Sequence, residues 1–75
     1  MIKLKIDREA DALYLTLDES ATLESEEVAP GVILDYNDKG EVVGIEMLYL
    51  SRRSPGLDVR RFMFESVEGV VGEAV

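Results

Sequence analysis

The chain has 75 residues, 47% hydrophobic and 32% charged, the composition of one small globular unit with no room for a second core. It contains no cysteine and no histidine, which removes disulfides, thiolate metal sites, cysteine nucleophiles and the commonest general base and metal ligand. The net charge is −8, with 12 acids against 4 bases in residues 1–50, and such a chain repels nucleic acid and anionic lipid.

Ile2, Leu4 and Ile6 alternate with Lys3, Lys5 and Asp7, a period of two that predicts a half-buried first strand. The same alternation lacks the continuous apolar run of a secretory signal. No stretch reaches the ~20 apolar residues of a membrane-spanning helix, so a cytoplasmic location with no membrane partner is expected. Asp7-Arg8-Glu9-Ala10-Asp11 reads as a turn, after which Leu13, Leu15 and Leu17 share one face of a second strand, closing a hairpin. A helix over residues 8–17 competes, but three leucines at i, i+2, i+4 fit a strand better.

Asp18-Glu19-Ser20-Ala21 predicts a second turn, and residues 23–28 a charged, solvent-facing or edge strand carrying Glu24, Glu26 and Glu27. Pro30-Gly31 punctuates the chain before Val32-Ile33-Leu34-Asp35-Tyr36, a β-branched and aromatic run too short for a stable helix. Asn37-Asp38-Lys39-Gly40 is a strong hairpin turn, so residues 41–50 return antiparallel with Val43, Ile45, Met47 and Tyr49 on one face. Gly44 marks a bulge or a close backbone approach there. Ser51-Arg52-Arg53-Ser54-Pro55-Gly56 reads as a loop or a short helical turn. Beyond it, a turn at residues 57–60 leads into a strand at Arg61-Phe62-Met63-Phe64-Glu65-Ser66-Val67, against a weaker helical alternative that Gly69 and Gly72 oppose.

The expected architecture is mainly β, with α+β as the alternative. It is a single domain over residues 1–75: a small antiparallel meander at 1–50 and a covering segment at 51–75, built of a short helical turn, an extra strand or both. A lone sheet of this size exposes a second face, so a homodimer, a higher homo-oligomer or a sheet-covering heteromeric contact is expected.

For chemistry, Asp7, Asp11, Asp35 and Glu46 are the carboxylates that could serve a small ligand, a divalent metal or a general acid and base. The Asp7 to Asp11 stretch lacks the glycine and terminal glutamate of a calcium loop, and turn capping explains it more simply. The serines have no histidine to activate them, and neither a nucleophile elbow nor a phosphate-cradling loop occurs. Tyr14, Tyr36 and Tyr49 fit cross-strand packing. The chain therefore reads as a non-enzyme without cofactor. Arg52, Arg53, Arg60 and Arg61 concentrate the positive charge, for an anion or for pairing with acids of the same sheet or a second subunit. The leading expectation is a protein-interaction module whose Glu24, Glu26 and Glu27 meet a basic protein; a ligand- or metal-binding protein and a structural homo-oligomer are the alternatives.

The order Asp7-x-x-x-Asp11-Ala12-Leu13-Tyr14-Leu15, then Glu24-x-Glu26-Glu27-Val28-Ala29-Pro30-Gly31-Val32-Ile33-Leu34-Asp35-Tyr36, then Gly40-x-Val42-Val43-Gly44-Ile45-Glu46 resembles the prokaryotic family called domain of unknown function 2283. The resemblance covers residues 1 to about 53. It implies no mechanism and carries over no functional residue. What it suggests is an antitoxin-like role, as a partner for small basic ribonuclease-type toxins.

Overall fold

The computed structural model describes residues 1–54 and 56–68. Five strands form one antiparallel sheet: β1 (Lys3–Asp7), β2 (Ala12–Thr16), β3 (Glu24–Ala29), β4 (Val32–Tyr36) and β5 (Val42–Met47). A single helical turn, α1 (Leu50–Arg53), follows β5. The chain is mainly β, as its alternating pattern requires.

The spatial order is β1-β2-β5-β4-β3, so the sheet departs from a meander run in sequence order. β5 inserts between β2 and β4, and residues 17–23 cross one end of the sheet to the far edge instead of making the tight turn expected at Asp18. Three strand spacings span roughly 14 Å, well within reach of seven residues. Backbone hydrogen bonds pin the crossing at both ends: the Leu17 and Asp18 N–H groups donate to the Val43 carbonyl (2.8 and 3.2 Å), and the Leu23 N–H to Tyr36 (2.7 Å). The Ser20 N–H donates to the Asp18 carboxylate at 3.0 Å and, as the largest cause, holds that carboxyl below its usual range.

Cross-strand register assigns the two faces, because directly opposed residues project to the same side. Leu4 opposes Leu15 and Ile6 opposes Leu13; Leu13 and Leu15 oppose Met47 and Ile45; these in turn oppose Val32 and Leu34. One face is thus aliphatic across four strands. The other carries Lys3, Lys5, Asp7, Ala12, Tyr14, Thr16, Gly44, Glu46, Ile33 and Asp35, a mostly polar set with Ala12 and Ile33 as its aliphatic members.

Among the described residues, only Ala12, Val43 and Leu50 are buried apolar side chains. Beyond α1, the described residues 60–68 are all exposed. A turn forms there as expected, with the Arg61 N–H donating to the Asp58 carbonyl at 3.1 Å. The strand expected at residues 61–67 is absent, and Phe62, Met63, Phe64 and Val67 are 69 to 83% exposed. Aromatic propensity alone does not make a strand without a ladder partner. Expectations for residues 69–75 lie outside the described residues.

Candidate functional site

The three glutamates singled out in the sequence lie on β3, an edge strand whose six residues are all exposed. They do not share one surface. Glu24 and Glu26 oppose Tyr36 and Leu34 at the rim of the aliphatic face, while Glu27 opposes Ile33 on the other side. Two of them hold local structure: Glu26 accepts the Tyr36 hydroxyl at 3.4 Å, and Glu27 accepts the Gly31 N–H at 3.3 Å. Burial, then the charge of Glu26 and this hydrogen bond, push the Tyr36 phenol up. A register shift between Glu27 and Ala29 bends the edge, and together with the charge it discourages indiscriminate strand pairing.

The carboxylates named for ligand or metal chemistry separate into three places. Asp7 sits in the β1–β2 turn and accepts the Ala10 N–H at 3.0 Å. Asp11, at φ 55°, accepts the backbone N–H of Ser51 at 3.0 Å and its hydroxyl at 2.7 Å. Asp35 and Glu46 are diagonal neighbours on the polar face of β4 and β5. No group of three potential metal-ligating side chains occurs among the described residues.

Asp35 and Glu46 form the one close carboxyl pair of this set. Ser25 Oγ donates to Asp35 Oδ1 at 2.6 Å, from β3 across to β4. Burial, followed by the hydrogen bond to Asp35 and that residue's charge, raises the Glu46 carboxyl above its ordinary value. Gly44 makes room for the arrangement: a Cβ there would fall 3.1 Å from Asp35 Oδ2 and 3.5 Å from the Leu15 carbonyl. The close approach expected at Gly44 is therefore made by the side chain of the neighbouring strand. Beside it, the Lys5 ammonium lies 5.6 Å from the centre of the Tyr14 ring.

The arginines separate as well. Arg53 donates through Nε to the Leu48 carbonyl at 2.7 Å and through Nη2 to the Pro30 carbonyl, so its partners are backbone oxygens rather than acids. It packs over the Pro30-Gly31 turn, where Gly31 at φ 72° is buried beneath it. Arg52 stacks on Tyr49, its guanidinium 5.8 Å from the ring centre. Tyr49 is not the next residue of the β5 face; it turns to φ 59° ahead of α1 and is half exposed. Arg60 meets Asp58 at 3.4 Å in an exposed pair, and Arg61 lines a shallow cleft with Ser54, Asp58 and Phe62.

Two groups hold structural roles that the sequence alone does not specify. Ser51 joins α1 to the β1–β2 turn through Asp11, and the Leu50 N–H adds a bond to the Asp11 carbonyl at 3.0 Å. Asn37 is buried: its Oδ1 accepts from the Lys39 and Glu41 N–H groups at 2.9 and 3.0 Å, and its Nδ2 donates to Glu41 Oε1 at 3.0 Å. The Asn-x-x-Gly spacing signals the turn, but nothing in it signals the burial.

The only helix among the described residues is one turn long, so none of them forms a helix able to cross a membrane. None of the curated proteins and none of the solved structures matches the chain. A family model does, over residues 3–51, the span from the start of β1 into α1 that holds both turns clamped by Asp11 and Arg53. The chain belongs to the family described as protein of unknown function DUF2283.

Proposed function

We propose that this protein is a non-enzymatic interaction module that binds a basic protein through its acidic edge, in the manner of an antitoxin masking a small basic toxin. The observation that carries the reading is the placement of Glu24, Glu26 and Glu27 on a fully exposed strand at the open end of the sheet. A partner reaches both the carboxylates and the unpaired backbone groups of β3 there. The net charge of −8 draws such a partner in at long range and repels nucleic acid.

The test is purification of the tagged chain from its host at low salt. A small basic protein should co-elute near one to one, and it should leave above roughly 0.5 M salt, where charge attraction is screened within a few ångströms. Replacing Glu24, Glu26 and Glu27 together by Lys should abolish its retention. Retention of every co-eluting protein by that variant overturns the assignment of this edge.

A further inference from the structure

The described chain beyond α1 is built differently from the sheet that precedes it. Residues 60–68 are exposed throughout, with Phe62, Met63, Phe64 and Val67 at 69 to 83%. Among the described residues, the hydrogen bonds of this segment are local. The Leu57 N–H donates to the Ser54 carbonyl and the Arg61 N–H to the Asp58 carbonyl, both at 3.1 Å, and the Arg60 N–H to the Asp58 carboxylate at 3.0 Å. None reaches a strand. The shallow cleft that Arg61 helps to line is walled by residues from Ser54 to Met63, so it too is internal to the segment.

Arg60 and Arg61 are two of the eight basic residues of the chain, and the other six sit in paired or anchored backbone. Lys3 and Lys5 belong to β1, laddered to β2. Arg8 lies in the β1–β2 turn, closed by Asp7 and by the bonds of Asp11 to Ser51. Lys39 lies in the turn that Asn37 holds, and Arg52 and Arg53 in α1, which is tied to two hairpin turns. Endopeptidases cut where exposed backbone opens at little cost, and the rate follows the population of the open form. At Arg60-Arg61, opening breaks one turn hydrogen bond and an exposed contact of Arg60 with Asp58 at 3.4 Å, which is weak in water. Elsewhere it must undo a strand ladder, an anchored turn or the α1 clamp.

We infer that Arg60-Arg61 is a processing site, where an endopeptidase specific for basic residues cuts the chain and leaves the five-stranded sheet folded. Water adds across the Arg61–Phe62 peptide bond, leaving a carboxylate on Arg61 and a free amine on Phe62. The exposed aromatic stretch departs, while Glu24, Glu26 and Glu27 stay with the sheet. Loss of the basic-partner reading would leave this site unchanged.

Trypsin acting on the purified full chain is the first probe. Intact masses over time should show the first cut after Arg60 or Arg61, about tenfold faster than at any of the other six basic residues. Circular dichroism of the cut protein should keep the strand signal and the thermal midpoint of the uncut chain. Replacing Arg60 and Arg61 together by Gln should remove the fast cut and leave the spectrum unchanged. Protein recovered from the host should then include a species ending at Arg60 or Arg61 that the double variant lacks. A first cut at Arg8, at Lys39 or within α1 overturns the inference, as does loss of the strand signal on cutting. Host protein that retains Phe62 in both the natural chain and the variant overturns it equally.

Discussion

The Asp11 carboxylate accepts both the N–H and the hydroxyl of Ser51, which lies forty residues further along the chain. This contact ties the β1–β2 turn to α1 at the same end of the sheet where Arg53 ties α1 to the β3–β4 turn. A four-residue helical turn is too short to be stable by itself. It persists because its ends are bonded to two hairpins.

Removing that tie should therefore be costly. Asp11→Ala loses two charge-assisted hydrogen bonds and places alanine at φ 55°, for an expected loss of about 2 to 3 kcal/mol. Asn tolerates the left-handed region and keeps a side-chain acceptor, so Asp11→Asn should cost less than half as much. Urea denaturation midpoints of the two variants decide the point; equal losses would mean that asparagine keeps neither the acceptor bonds nor the backbone advantage and would contradict this account.

Gly31 and Arg53 give a second, separable contribution. A Cβ at position 31 would lie 2.5 Å from Arg53 Nη2 and 3.0 Å from Tyr49 Cδ2, and the backbone stands at φ 72°. Gly31→Ala should destabilise by about 2 to 3 kcal/mol, of which about 1 is the cost of the left-handed backbone. In an Arg53→Ala background the steric part should fall away and leave the backbone part. A double-mutant cycle with no coupling between the two positions would contradict this packing.

Strand positions were legible in the sequence because period-two alternation and the turn residues at 37–40 are local signals. Strand order was not, since alternation assigns faces without saying which strand lies beside which. Nothing local marks residues 17–23 as a crossing rather than a turn. The opposed faces of Glu26 and Glu27 follow from their adjacency in an extended strand, whereas the backbone partners of Arg53 depend on two turns meeting in space. The pairing of Asp35 with Glu46 is likewise a product of register.

Asn37 should behave as a buried turn anchor rather than an exchangeable loop residue. Asn37→Ala strands the Lys39 and Glu41 N–H groups and should cost about 1 to 3 kcal/mol by urea denaturation. Asn37→Asp keeps those acceptor bonds but faces Glu41 with a second carboxylate, so its deficit should shrink on acidification. A deficit that stays constant with pH would count against the Glu41 contact.

The dispersal of Asp7, Asp11 and the Asp35–Glu46 pair predicts that divalent cations find no shared site among the described residues. Titrating magnesium, calcium or manganese at constant ionic strength should leave the thermal midpoint where matched sodium chloride leaves it. A specific rise with any of them would revive the metal reading.

Glu46 sets a pH dependence of definite sign. Its carboxyl titrates above the ordinary 4.5 because burial, and then the hydrogen bond to Asp35 and its charge, favour the protonated form. The folded state thus binds this proton more tightly than the unfolded chain does, and stability falls as pH rises through the interval between the two values. The contribution is fully present below the unfolded value and lost above the folded one. Glu46→Gln keeps a donor toward Asp35 and removes the titration. That variant should match the wild type near pH ~4 and exceed it near pH ~7 in urea midpoint. Parallel profiles for the two proteins would show that Glu46 titrates alike in both states and would remove the pair from the account of this sheet.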